Sequence, residues 1–93
     1  MQIPKKVKIG PHVFTVQLVD VVNKLIPRRG EVDHEANTSR LDKTMAQSKI
    51  EECFLHEILH ELDEELVLGL GEERVGRVSY ALYGVLVDNK MLK

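Results

Sequence analysis

The stretch "SKIEECFLHEILHELDEEL", residues 48–66, carries most of what the sequence predicts about the fold. Its apolar residues recur every three or four positions, the spacing of one side of a helix. They are Ile50, Phe54, Leu55, Ile58, Leu59, Leu62 and Leu66. Ser48 and Glu51 have the spacing of a capping box, which satisfies free N–H groups where a helix begins. We therefore predict an amphipathic helix over residues 49–66.

A second helix is predicted after the glycines that follow this stretch. Gly69 and Gly71 interrupt the helical pattern, and an apolar stripe then resumes over residues 72–88. The stripe comprises Val75, Val78, Leu82, Val85 and Leu86. This spacing predicts a helix whose apolar side faces the rest of the domain.

The first half of the chain has the alternating pattern of strands. Residues 5–9 and 13–19 alternate on either side of a Gly-Pro turn, which predicts a β-hairpin. Two short extended segments follow near 31–35 and 38–42. The predicted fold class is α+β, with a short, mainly antiparallel sheet of three or four strands followed by the two helices.

Length and composition restrict the possible functions. The 93 residues form one domain, 1–93, and 43% hydrophobic with 30% charged residues is typical of globular proteins. A net charge of −2 argues against nucleic-acid binding. One cysteine excludes an internal disulfide, and no apolar run approaches the ~18 residues of a membrane span. We expect a cytoplasmic protein that binds no membrane, and its oligomeric state is left open.

The motif His56-Glu57-Ile58-Leu59-His60 predicts a metal site on the first helix. Residues four apart lie on one side of a helix, so both imidazoles can bind one ion at ~2.0–2.1 Å. Glu57 can reach a water molecule on the open side of that ion and act as a general base. The sequence therefore predicts one Zn²⁺ ion with His56 and His60 as ligands. The alternative is a glutamate-rich amphipathic helix that carries two histidines by coincidence.

A third protein ligand is needed, because catalytic zinc takes three protein ligands and leaves one position open. The extension HExxHxxGxxH is absent, since Asp63 and Leu66 stand where it has Gly and His. We predict Glu72 as the ligand and Glu73 as second choice, because Glu72 lies nearer the apolar side of the second helix. Both are equally compatible with acids that stabilise a first helical turn. Cys53 lies too far along the helix from His60 to share the ion and is expected in the core.

Three further side chains are weaker candidates. Asp63 could orient an imidazole as a hydrogen-bond acceptor, although an exposed helical aspartate fits equally well. Tyr80 and Tyr83 could donate a hydrogen bond to an oxyanion, although tyrosine on a packed helix is more often a core residue. His12 and His34 lie in strand or turn segments and are assigned no role.

The segment "TMAQSKIEECFLHEILHELDEELVLGLGEERVGRVSYALYGVLVDN" resembles the zincin metallopeptidases. It looks specifically like small, gluzincin-like members encoded by phages and prophages, over roughly residues 30–90. The resemblance implies His56 and His60 as zinc ligands, Glu57 as base and a glutamate of the next helix as third ligand. It also implies that a substrate peptide lies along an edge strand, and that the protein works in the cytoplasm of a bacterial host.

The expected function is therefore that of a zinc-dependent metallopeptidase. Such a hydrolase would cleave a peptide or protein substrate with metal-activated water, and Glu57 would be the general base. The alternative is a non-catalytic, metal-stabilised interaction or regulatory protein of phage or prophage origin. A plain α+β domain without metal is the third possibility.

Overall fold

The computed structural model describes residues 1–26 and 28–92, and its elements follow the predicted order. The four strands and two helices are β1 (Lys6–Ile9), β2 (His12–Val19), β3 (Gly30–Asp33), β4 (Thr38–Asp42), α1 (Gln47–Leu66) and α2 (Gly71–Asp88). The predicted α+β class is confirmed. The helices differ from their predicted bounds only at their first one or two residues.

The sheet has the order β1-β2-β4-β3. The β1–β2 and β3–β4 pairs are antiparallel, whereas β2 and β4 are parallel, from Thr15 opposite Thr38 to Val19 opposite Asp42. The sheet is thus mainly antiparallel, as predicted. Strand β3 is an edge strand and pairs with β4 alone among the described strands. Its outer side therefore presents backbone N–H and C=O groups that another extended chain could pair with.

The hydrophobic core lies between the sheet and α1. Its buried members are Val16, Leu41, Ile50 and Phe54. Helix α1 packs on β3 and β4, while α2 packs mainly on α1. Neither helix combines the length and the apolar character that a membrane-spanning helix needs.

The apolar stripe of α2 is buried at only one end. Val75 is fully buried, but Val78, Leu82 and Val85 are 44, 40 and 54% exposed. The expectation that the whole stripe faces inward is therefore wrong. The reason is that α2 lies outside α1, so only part of its apolar side has a neighbour to pack on.

The predicted capping box at the start of α1 is not formed. The helix begins at Gln47 after Ala46, and no side chain caps it. Glu51 instead accepts hydrogen bonds from the Gln47 amide at 2.9 Å and the Tyr83 hydroxyl at 2.8 Å. Burial works to raise the pKa of Glu51, but these hydrogen bonds and the N-terminal ammonium of Met1, at 3.3 Å, outweigh it and the pKa is lowered. Glu51 is thus held by a neighbour on its own helix and by a tertiary partner, and not by Ser48.

The connection between the helices is held by Asp63. Its carboxylate accepts hydrogen bonds from the backbone N–H groups of Leu70 at 3.0 Å and Gly71 at 3.2 Å. These bonds, the one from Leu70 first, lower the pKa of Asp63. Gly69 and Gly71 have φ angles of 70° and 79°, which glycine adopts without steric cost. The chain therefore reverses, and α2 returns along α1.

We predict that Gly30→Ala destabilises the protein through a steric conflict between β3 and α1. A Cβ at position 30 would overlap Cys53 Sγ and lie 3.1 Å from Glu57 Oε1 and 3.2 Å from Leu41 Cδ2. Such overpacking costs about 1–3 kcal/mol, measurable by chemical denaturation. Cys53→Ala removes the atom with the closest overlap, so the double variant should recover most of the loss relative to Cys53→Ala alone. An equal loss in both backgrounds would contradict this explanation.

Candidate metal centre

His56 and His60 of α1 and Glu72 of α2 come together where the two helices meet. The two Nε2 atoms are 3.0 Å apart, and His56 Nε2 lies 2.9 Å from Glu72 Oε1. His60 Nε2 contacts the other carboxylate oxygen, Oε2. One ligand atom from each residue lies within 4.8 Å of the other two. The three side chains thus converge on one point and could hold a metal ion.

Local structure explains why Glu72, and not Glu73, takes part. Glu72 directly follows the turn that Asp63 holds, in the first turn of α2, so its side chain faces the last turns of α1. Glu73 contacts Arg77 on the exposed side of α2. The structure therefore brings Glu72, and not Glu73, to the two histidines.

The donor set fits a zinc ion. Two imidazole nitrogens and one carboxylate are the ligands of many catalytic zinc sites, and ligands on a tetrahedral ion lie roughly 3.3 Å apart. The 2.9 and 3.0 Å separations at His56 need to change by only a few tenths of an ångström. Partial burial works to raise the pKa of Glu72, but the two histidines outweigh it and the pKa is lowered. The carboxylate is thus kept in the ionised form that binds metals.

Ser79 supports His56 from the opposite side of the ring. Its side chain is almost fully buried at 1% exposure, and its hydroxyl donates a hydrogen bond to the Gly76 carbonyl at 3.0 Å. The same oxygen lies 3.4 Å from His56 Nδ1, so it can accept a hydrogen bond from that nitrogen. A protonated Nδ1 leaves the Nε2 lone pair directed at Glu72 and His60. Sequence reasoning missed Ser79, although its seven-residue distance from Glu72 puts both on one side of α2.

Glu57 differs from the other buried carboxylates of α1. Glu51, Glu57 and Glu61 are 6, 7 and 3% exposed, and Glu61 contacts His34 while Glu51 has the partners described above. Glu57 makes no side-chain hydrogen bond within residues 1–26 and 28–92. Burial, and then the negative charge of Glu72, raise the pKa of Glu57 to about 7. The Glu57 oxygens are not fully enclosed, so the carboxylate is available as a base next to the two histidines.

An open groove of about 920 Å³ lies between β3 and the facing sides of α1 and α2. His56, Glu57, His60 and Glu72 line it, and the edge strand β3 forms its opposite side. Of the two candidate tyrosines, Tyr80 lines the groove. We call this space the groove below.

Tyr83 lies elsewhere in the structure. Its hydroxyl donates a hydrogen bond to Glu51 at 2.8 Å, and partial burial followed by this bond raises the pKa of Tyr83 to about 12. This hydrogen bond places the Tyr83 side chain at the far end of the α1–α2 contact, away from His60 and Glu72. The geometry therefore favours Tyr80 over Tyr83 as a donor to a bound substrate.

Asp63, Cys53 and His34 lie outside the group formed by the two other histidines and Glu72. Asp63 binds backbone N–H groups of the connection and no imidazole. Cys53 lies outside the His56–His60–Glu72 group and packs against the core, where burial raises its thiol pKa to about 12. His34, to which the sequence assigned no role, lines the groove and contacts buried Glu61. Nothing in the sequence pattern relates these two residues, which are 27 positions apart.

No protein-family model, curated protein or solved structure matches this chain. The resemblance to zincin metallopeptidases therefore stays a prediction. What the molecule can do chemically is inferred from the side chains that its own fold brings together.

Glu72→Ala and Glu73→Ala form a matched pair that tests the third ligand. Loss of a partner that only orients a metal-binding histidine lowers affinity by about 10–100-fold, so loss of a ligand should lower zinc affinity at least as much. We expect this for Glu72→Ala, and a change of less than about threefold for Glu73→Ala, by competition with a chromophoric chelator. Equal losses in the two variants would exclude Glu72 as the specific ligand.

Ser79→Ala is expected to weaken zinc binding by about 10-fold or more, because His56 loses the acceptor that orients its ring. Ser39→Ala is the control, since Ser39 is also buried but its hydroxyl has no hydrogen-bond partner among the described residues. Ser39→Ala should leave zinc affinity unchanged. A purely structural role of Ser79 would lower the unfolding temperature without the zinc-affinity loss.

Proposed function

We propose that this protein is a zinc-dependent metallopeptidase. The observation that carries the proposal is the position of Glu57. It is a buried carboxylate without a hydrogen-bond partner among the described residues, adjacent in sequence to His56 and in the same groove as His60 and Glu72. A metal-binding group, a free base and an open groove are the three components that metal-assisted hydrolysis requires.

Each residue of the candidate site has one role in the proposed reaction. His56, His60 and Glu72 would hold the zinc ion, with Ser79 orienting His56. Zinc bound there supplies Lewis-acid chemistry, which polarises a substrate carbonyl and acidifies water. A carboxylate oxygen of Glu57 accepts the proton of the attacking water and then transfers it to the nitrogen of the leaving amine.

Strand β3 supports a peptide as the substrate. Its unpaired edge borders the groove, so an extended segment can form main-chain hydrogen bonds with β3 while its carbonyl groups pass the two histidines. This mode of binding recognises the backbone and is therefore suited to a polypeptide. Tyr80, on the α2 side of the groove, is positioned to contact the same segment.

A second candidate function is that of a metal-stabilised interaction protein. It is favoured by the exposed apolar residues Val78, Leu82 and Val85, which follow one another at helical spacing on α2. In this case zinc would serve to tie α2 to α1, because metal binding to the folded state adds directly to stability.

The substitution Glu57→Gln separates the two functions. It should lower the rate of peptide cleavage by about 10²–10⁴-fold, since the base is lost, while one zinc per chain is retained. Cleavage of a random-sequence peptide mixture by mass spectrometry, together with metal analysis, measures both quantities. Glu64→Gln, an exposed change on the same helix, is the control and should leave both unchanged.

Two results would contradict the peptidase proposal. One is full activity in Glu57→Gln. The other is a wild-type protein that binds zinc and loses thermal stability when zinc is removed, yet cleaves no peptide in the mixture. The second result would support the interaction protein.

A further inference from the structure

Three exposed cations line the groove. Arg28 and Arg29, directly before β3, and Lys49, in the first turn of α1, all line it and are exposed. None of the three forms an ion pair with a residue in the described part of the chain, where most other Lys and Arg side chains are unpaired as well. Exposed cations without a partner are free to bind an external anion.

Lys49 lies on the same side of α1 as the candidate metal centre. It precedes His56 by seven residues, or two helical turns, so it lies on the same side of α1 at roughly 10 Å along the axis. Arg28 and Arg29 stand on the other side of the groove, where the chain enters β3. A segment bound along β3 would pass between these two groups of positive charge.

With a zinc ion bound, the acidic residues of the groove would not cancel this charge. Glu31 forms an ion pair with Arg40 at 3.6 Å and accepts a hydrogen bond from the Asn23 amide at 3.5 Å. Glu57 and Glu72 face the histidines, and their two charges would balance one divalent cation. Glu52 remains as a single carboxylate against three cations. By formal charge the lining holds three cations and four carboxylates, so a bound zinc ion would make the groove positive by one unit.

We propose that the groove selects extended peptide segments rich in Asp and Glu. Arginine binds carboxylates through two parallel hydrogen bonds, and Arg28 and Arg29 offer that geometry beside the edge strand. Successive side chains of an extended peptide point to opposite sides, so acidic residues at neighbouring positions can reach the cations at both sides of the groove. This inference rests on the proposed function for the groove and names its substrate class.

Binding to the zinc-loaded Glu57→Gln protein tests the selectivity without turnover. Three peptides of equal length, with blocked ends, one neutral fluorophore and one central sequence, would carry Glu, Ser or Lys at the flanking positions. By fluorescence anisotropy at low salt, the Glu peptide should bind about five- to tenfold more tightly than the Ser peptide, and the Lys peptide more weakly than both. High salt should largely remove the difference.

Two double variants that remove the same charge test whether the selectivity arises in the groove. Arg28→Gln/Arg29→Gln should reduce the preference for Glu over Ser to about twofold or less. Lys6→Gln/Lys8→Gln removes the same charge from β1, at the opposite edge of the sheet, and should keep the preference. An equal loss in both variants would show an effect of net charge alone and would overturn the proposal, as would equal binding of the Glu and Ser peptides.

Cleavage of the same peptides by the zinc-loaded wild type separates this inference from the proposed function. Equal cleavage of the Glu and Ser peptides would overturn the acidic selectivity and leave the peptidase standing. Groove-dependent binding of the Glu peptide without any cleavage would support the selectivity and contradict the peptidase. Absence of both binding and cleavage would overturn both.

Discussion

The structure depends on the two hydrogen bonds that the Asp63 carboxylate accepts from the N–H groups of Leu70 and Gly71. They hold the start of α2 against the last turns of α1, and Glu72 is the next residue along the chain. The two helices are therefore antiparallel. Glu72, at the start of α2, lies beside His60, and Tyr83, later in α2, lies near the beginning of α1. Without this reversal, the two histidines would be ordinary polar residues of one helix. With it, a third donor from a separate element is brought to them.

Helix α1 is unusual in how much acidic surface it buries. Burying a carboxylate costs free energy unless hydrogen bonds or opposite charge compensate it. Glu51 and Glu61 have such compensation, from Tyr83 and Gln47 in one case and from His34 in the other. Glu57 makes no hydrogen bond among the described residues, and burial and the charge of Glu72 raise its pKa by more than the charge of Arg28 lowers it. A small core leaves little stability to offset such a cost, and a metal bound beside Glu57 would provide both a counter-charge and added stability.

Much of the candidate site could be predicted because it is encoded locally. The helical repeat around His56 and His60 puts both imidazoles on one side of α1, whatever the rest of the fold does. The choice of Glu72 over Glu73 also followed from helix geometry. Ser79 escaped prediction, because a serine becomes a support for an imidazole only when another helix lies against it.

The sequence by itself determined the periodic features, namely the order of strands and helices, the length of α1 and the spacing of its histidines. These depend on backbone geometry and on neighbours within a few residues. Only the tertiary structure decided what each element contacts. It paired Glu61 with His34, moved Tyr83 away from the groove and left Val78 exposed on α2. Such contacts depend on how elements distant in the chain pack together, and a pattern within one element contains no information about its neighbour.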